Sequence, residues 1–135
     1  MKSLNLKSFA VILFVALCTF VSCSKKKDDV PPAPTMAGKW VGKWGNGNET
    51  PNTYFSFTIN ANGTLTVEEG NPLDFGTGTW TLEGDTFKAV YEYNDNPGEK
   101  LNVAAKVNQA RTEIEGEWGV GAVNQGDGTF FMVKQ

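Results

Sequence analysis

Apolar and polar positions alternate most regularly in the middle of the chain. A period of two is typical of a half-buried strand, so residues 76–83 and 86–93 are predicted to form two strands. Gly84-Asp85 between them fits a two-residue hairpin turn with a positive φ at its first position. This turn sets Leu82 opposite Phe87, which brings the apolar rows of both strands onto one face.

The same alternation recurs along the rest of the chain and predicts short strands without any helical pattern. The eight predicted strands cover residues 37–45, 53–60, 64–68, 76–83, 86–93, 101–107, 112–119 and 129–134. A three-residue loop over 61–63 keeps Ile59 and Leu65 on the same face. Sequential antiparallel strands form a meander, and eight of them commonly close into an up-and-down barrel. The fold is therefore predicted to be all-β, an eight-stranded antiparallel barrel, with a two-sheet β-sandwich as the alternative.

The N-terminal segment differs from the rest of the chain. Lys2 and Lys7 accompany an apolar run over residues 9–21, which is shorter than the roughly 20 residues that span a bilayer. This layout is typical of a secretory signal peptide, and the proline-rich stretch 30–35 predicts an extended tether. The chain is therefore divided into a signal peptide, a tether and one folded domain, over residues 1–22, 23–35 and 36–135.

The junction at Cys23 resembles the lipobox of bacterial lipoproteins. In Phe20-Val21-Ser22-Cys23 the cysteine stands where cleavage leaves a lipid-bearing N-terminus, and the Ser/Lys/Asp run over 24–29 is similar to that of Bacteroidetes lipoproteins. The resemblance implies lipidation of Cys23, membrane attachment through this lipid and a cell-envelope location at the outer membrane. In that group a lysine followed by acidic residues is associated with export to the cell surface. A periplasm-facing lipoprotein is the alternative.

The folded part resembles a second family. Gly38-Lys39-Trp40 is similar to the Gly-x-Trp signature of lipocalins, and Gly-Thr-Trp-Thr-Leu over 78–82 and Gly-Glu-Trp-Gly over 116–119 are similar to repeats of small lipocalin-like lipoproteins. The resemblance implies a lipocalin-like barrel in which Trp40 packs at the closed end beside an arginine of the last strand. The sole arginine, Arg111, precedes the seventh predicted strand instead.

Composition excludes several classes of function. Histidine is absent, Cys18 lies within the predicted signal peptide and Cys23 is assigned to the lipid. The predicted domain therefore lacks the side chains that form zinc sites, thiolate nucleophiles and the usual catalytic triads. Residues 36–135 contain 7 Lys and Arg and 13 Asp and Glu, which gives a net charge of −6. A negative charge of this size repels nucleic acid. We therefore predict a non-enzymatic protein without cofactor, metal or nucleic-acid partner.

The inward side of the predicted barrel is rich in aromatic side chains. An eight-stranded barrel is either filled by side chains or holds one small ligand, and the two interpretations predict different functions. In one, aromatic residues line a cup for a small apolar or glycan-like ligand. In the other, a filled barrel binds another envelope protein, for example as an enzyme inhibitor, through its outer face or an apolar patch around Leu73 and Phe75. The predicted ligand-binding residues are Trp44, Phe57, Trp80, Tyr91 and Tyr93.

Overall fold

The computed structural model describes residues 33–70, 72–121 and 126–135. The predicted signal peptide and Cys23, the predicted lipidation site, lie outside these residues. From Ala33 to Gln135 the chain forms one compact unit. All regular secondary structure in the described residues is β-strand.

Eight antiparallel strands form a closed barrel in which each strand pairs with the next and the last pairs with the first. The strands are β1 (Gly38–Asn46), β2 (Thr53–Ile59), β3 (Thr64–Glu69), β4 (Asp74–Glu83), β5 (Thr86–Tyr93), β6 (Leu101–Val107), β7 (Glu113–Val120) and β8 (Gly128–Lys134). This topology confirms the predicted eight-stranded up-and-down barrel. The two-sheet sandwich is wrong, because pairing of β8 with β1 closes the sheet on itself.

Both predicted hairpins have the predicted register. The expected cross-strand pairs are present: Leu82 with Phe87 between β4 and β5, and Ile59 with Leu65 between β2 and β3. Gly84 has a φ of 65° and Gly63 a φ of 87°, which is the left-handed backbone that these tight connections need. Turn chemistry therefore sets the register in both hairpins and brings the apolar rows to the inside.

Strand β3 is longer than predicted, which shortens the connection after it. The sequence predicts a loop over residues 69–75, whereas β3 ends at Glu69 and β4 begins at Asp74. Glu69 pairs with Asp74 on one side and with Phe55 on the other, so ladder pairing extends the strand through a charged position. The inward row of β3, which is apolar up to Val67, therefore ends in a carboxylate.

Glycines on the inward rows allow neighbouring strands to approach closely. A Cβ atom on Gly42 of β1 would overlap the carbonyl oxygen of Phe131 on β8, and one on Gly116 of β7 would overlap the carbonyl oxygen of Ala104 on β6. In both cases the obstacle is backbone, which cannot move aside without disturbing the ladder. These glycines therefore make room for the adjacent strand as the narrow barrel curves.

The two ends of the barrel differ in the connections that form them. The end formed by residues 60–63, 84–85 and 108–112, which we call the turn end, also holds the start of β1. The opposite end, the loop end, is formed in the described residues by 47–52, 70, 72–73, 94–100, 121 and 126–127. At the turn end Trp40 and Met36 are fully buried, and the Trp40 indole donates a hydrogen bond of 2.8 Å to the Met36 carbonyl. These two side chains fill the interior there.

A lysine of the last strand contacts the tryptophan at the turn end. The Nζ atom of Lys134 lies 5.7 Å from the centre of the Trp40 ring, a distance at which cation–π attraction operates. Arg111 lies in the connection between β6 and β7, where its φ is 53°. The cation beside Trp40 is therefore Lys134, and not the arginine that the lipocalin resemblance implies.

Candidate functional site

A pocket lies inside the barrel at the loop end. It has a volume of about 60 Å³, and its lining residues are Trp44, Phe55, Glu69, Tyr91, Leu101 and Trp118. Each residue belongs to a different strand and lies in the half of that strand next to the loop end. The alternation that fills the core therefore also directs these side chains toward one common space.

Aromatic rings form most of the pocket wall. The ring centres of Trp44 and Trp118 are 5.2 Å apart and the ring planes meet at 81°, the edge-to-face arrangement that aromatic pairs favour. The Trp118 indole also donates a hydrogen bond of 3.1 Å to the carbonyl of Gly45, which fixes this ring against β1. Phe55 packs against Tyr91 with ring centres 6.2 Å apart. Mutual packing therefore sets the shape of the pocket without a ligand.

Glu69 carries the one carboxylate among the lining residues. Its side chain is partly buried, and burial raises its pKa from 4.5 to about 7, because the charged form loses hydration. The Trp44 indole opposes this rise, and the negative charge of Asp74 adds to it. Near neutral pH the Glu69 carboxylate is therefore divided between its neutral and its charged form.

Tyr91 forms a neutral part of the same wall. Its side chain is almost completely buried. Burial raises the pKa of its phenol, and the negative charge of Glu69 raises it further. The phenol therefore remains protonated at physiological pH and offers the pocket a ring surface and an uncharged hydroxyl.

Two buried polar atoms at the loop end lack a partner among the described residues. The Trp44 Nε1–H is close enough to Glu69 to lower the pKa of its carboxyl, but its geometry completes no hydrogen bond. The Tyr93 hydroxyl is also buried and unpaired, and its ring packs edge-on against Tyr91 with ring centres 5.7 Å apart. Buried polar atoms without a partner cost free energy. These two atoms therefore leave one N–H donor and one hydroxyl unpaired at the loop end.

Three of the residues predicted to bind a ligand gather at the loop end. Trp44 and Tyr91 line the pocket, and Tyr93 packs against Tyr91. Phe57 lies deeper and is completely buried in the core. Trp80 lies toward the turn end, where its indole donates a hydrogen bond of 2.9 Å to a backbone carbonyl beside the β2–β3 turn. The structure therefore leaves Phe57 and Trp80 outside the pocket.

The remaining lining residues were only partly accessible to sequence reasoning. The alternation predicts that Phe55, Leu101 and Trp118 point inward but does not mark them as lining residues. Glu69 is missed because the predicted strand ends at Glu68, which assigns Glu69 to the connection that follows. The period-two pattern of β3, continued from Leu65 and Val67 to the next position, predicts that Glu69 also points inward. This pattern is the signal that identifies Glu69.

The pocket offers hydrogen bonding, one titratable charge and aromatic surface. Across residues 33–70, 72–121 and 126–135, no group of three or more potential metal ligands is present. None of the residues that the structure describes forms a helix with the length and hydropathy needed to cross a membrane.

Comparison of the chain with protein-family models, with curated proteins and with solved structures finds no significant match.

Proposed function

We propose that this protein is a lipid-anchored, non-enzymatic binding protein of the cell envelope, and that its barrel holds a small ligand in the loop-end pocket. The observation that carries the proposal is the pocket itself, a space of about 60 Å³ at one end of a barrel whose other end is filled by Met36 and Trp40. An eight-stranded barrel has an interior of the size that holds one small ligand. The resemblance to small lipocalin-like lipoproteins supports the same function.

The size and lining of the pocket limit the ligand. A volume of about 10–15 Å³ admits one water molecule, so the pocket accepts about four to six groups of that size. Five of the six lining residues carry aromatic or aliphatic side chains, which favours an apolar group over a glycan with many hydroxyls. A long acyl chain, a haem or an oligosaccharide exceeds this space. The ligand is therefore a small molecule or the end group of a larger one.

The lipid proposed for Cys23 holds the barrel near a membrane. Each buried CH₂ of an acyl chain contributes about 0.8 kcal/mol, so several chains anchor the protein firmly. Residues 24–35 span at most roughly 40 Å at about 3.3 Å per residue, which sets the reach of the domain. Labelling of cells with palmitate tests the anchor. The wild type is expected to be labelled and membrane-bound, whereas Cys23→Ala is expected to be unlabelled and released from the membrane. Protease added to intact cells then distinguishes the cell surface from the periplasm.

Tryptophan fluorescence and calorimetry test the pocket. Trp44 and Trp118 line it, whereas Trp80 lies toward the turn end. A small apolar ligand is expected to shift or quench the emission, and Trp118→Phe is expected to reduce both this response and the affinity. Trp80→Phe is the control and is expected to keep the affinity. Wild-type affinity in Trp118→Phe, or no response from a cooperatively folded wild type to any small apolar compound, contradicts the proposed function.

A second function is favoured by apolar side chains on the outside of the barrel. Leu73 and Phe75 are 47% and 51% exposed, and Phe131 and Val133 of β8 are 37% and 44% exposed. Exposed apolar patches mark protein interaction sites, so the alternative proposal is that the protein binds another envelope protein, for example as an enzyme inhibitor. A photo-crosslinking side chain at Phe75 is expected to give a discrete adduct in cells. The same group at Thr79, which is exposed on the same strand, is the control, and equal results at both positions contradict the alternative.

A further inference from the structure

The loop-end pocket combines aromatic walls with a single carboxylate, and none of its six lining residues is basic. We propose that the pocket binds a small organic cation, with a methylated or alkyl ammonium group held among the rings of Trp44, Trp118 and Tyr91 and opposite Glu69. This inference rests on the proposed function and names the class of ligand for that same site.

The first support is the arrangement of the rings. Cations are attracted to aromatic faces within about 6 Å of the ring centre, and tryptophan gives the strongest attraction. Trp44 and Trp118 stand at 81° to each other with centres 5.2 Å apart, so they form two walls of a corner, and Tyr91 lines the same space. Walls at right angles accept a compact, rounded group better than a flat or a long one. Tetramethylammonium falls within the about four to six water-sized groups that the pocket admits.

The second support is that the Glu69 carboxylate has no counter-ion in the described residues. The ion pairs found there join Lys39 to Glu68, Lys88 to Glu83 and Lys106 to Asp85. Taking a carboxylate out of water without a cation is unfavourable, and burial accordingly raises the pKa of Glu69. An ammonium group in the pocket supplies the missing positive charge where it is least screened by water.

The third support is the charge around the pocket entrance. The connections of the loop end carry four carboxylates and one lysine: Glu49, Asp95, Glu99, Asp127 and Lys100. Asp74 adds another carboxylate directly opposite Glu69 in the β3–β4 ladder. An excess of one charge around a cleft raises the local concentration of the opposite charge. The loop end therefore attracts cations and disfavours anionic ligands.

The test compares a cation with an uncharged molecule of the same shape. The full-length chain is held in a maltoside detergent, whose uncharged head group does not compete for the pocket. Calorimetry at about pH 8 measures binding of choline, of tetramethylammonium and of dimethylbutanol, in which a tert-butyl group replaces trimethylammonium. We expect choline and tetramethylammonium to bind at least about tenfold more tightly than dimethylbutanol. This comparison uses the unchanged protein and does not depend on the folding of a variant.

Two matched variants then locate the charge that is responsible. Glu69→Gln keeps the shape of the side chain and removes its charge, and Glu68→Gln makes the same change on the outer face of β3. Glu69→Gln is expected to weaken choline binding at least about tenfold, and to leave dimethylbutanol binding unchanged. Glu68→Gln is expected to change neither affinity.

The pH dependence gives an independent readout. Asp74 and Tyr91 are the titratable groups that act on Glu69 from the neighbouring strands, and the Tyr91 phenol stays neutral. With a pKa of about 7, the ionised fraction of Glu69 rises about tenfold between pH 6 and pH 8. Choline affinity is therefore expected to rise about tenfold across this range in the wild type, and to stay level in Glu69→Gln.

The outcomes separate the two proposals. Equal affinity for choline and dimethylbutanol, or undiminished choline binding in Glu69→Gln, overturns the cation inference and leaves the proposed binding function in place. Failure of the folded wild type to bind either compound, or any small apolar compound, overturns both.

Discussion

Glu68 and Glu69 are neighbours in sequence but lie on opposite faces of β3. Glu68 faces outward and accepts hydrogen bonds of 2.7 Å from Lys39 and 3.1 Å from Ser56, and the bond from Lys39 is the main cause that lowers the pKa of Glu68. Glu69 faces the pocket, where burial raises its pKa to about 7. Ionisation therefore stabilises the folded state at Glu68 and destabilises it at Glu69.

We predict that Glu69→Gln stabilises the protein more at about pH 8 than at about pH 4.5. The quantity compared is the free energy of unfolding of Glu69→Gln minus that of the wild type. The pKa of Glu69 moves from an ordinary value of 4.5 to about 7 on folding. The folded state therefore holds the proton more tightly, and wild-type stability falls as pH rises through this window. At about 1.4 kcal/mol per pKa unit, the full loss is about 3.5 kcal/mol, of which about 3 kcal/mol falls between pH 4.5 and pH 8. Because water reaches part of the side chain, we expect about 2 kcal/mol.

Urea unfolding followed by tryptophan emission measures this effect in both proteins across the pH range. The informative quantity is the difference between Glu69→Gln and the wild type, because the titration of the other carboxylates largely cancels in it. This difference is expected to grow by about 2 kcal/mol between pH 4.5 and pH 8. A calorimetric melt at each pH provides a second measurement of the same trend.

Glu68→Gln is the matched control because its pKa is lowered rather than raised. The stability that Glu68 contributes is present above its unfolded pKa and is lost as pH falls through its lower folded pKa. Glu68→Gln is therefore expected to be less stable than the wild type near neutral pH, with a deficit that shrinks on acidification. A stability difference for Glu69→Gln that stays constant between pH 4.5 and pH 8 refutes the reasoning, because it shows that folding leaves the pKa of Glu69 unchanged.

Two further predictions concern the packing of the barrel. Gly42→Ala is expected to lower the free energy of unfolding more than Gly84→Ala, because a Cβ at Gly42 overlaps the backbone of β8. At Gly84 the Cβ meets open space, so the cost is about 1–2 kcal/mol from its left-handed backbone alone; equal losses in urea unfolding contradict the packing argument. Lys134→Met removes the cation–π contact with Trp40 and the hydrogen bond that the Lys134 Nζ donates to the Thr35 carbonyl. It is expected to lower the free energy of unfolding by about 0.5–1 kcal/mol or more, and wild-type stability in this variant contradicts a stabilising role for the two contacts.

The fold was predictable from sequence because its local and long-range signals agree. Alternation gives the inward side of each strand, and the turns at Gly84-Asp85 and 61–63 set the registers in which the apolar rows meet. Closure is consistent with the same pattern, because an open meander leaves two unpaired strand edges. The ends of β3 and β4 were less predictable, since the pairing of Glu69 with Asp74 is a cross-strand effect.

The site was less predictable, because alternation does not say at which end of the barrel a residue lies. Trp44 and Trp80 have the same inward pattern, yet Trp44 lines the pocket and Trp80 lies toward the turn end. Their positions relative to the connections separate them: Trp80 shortly precedes the two-residue turn, whereas Trp44 shortly precedes the 47–52 loop. A pocket also depends on which rings pack against each other, and that is a property of the assembled barrel.

Glu69 is the position at which β3 departs from its own pattern. The inward row begins with Leu65 and Val67 and ends in a carboxylate, although another apolar residue would remove an ionisation that opposes folding. Departures from a local rule at a cost in stability are expected at functional sites. The stability experiment and the choline experiment therefore measure two effects of one carboxylate, and Glu69→Gln is expected to remove both. If the variant gains stability at high pH and still binds choline as the wild type does, the charge of Glu69 only opposes folding, and the cation inference fails.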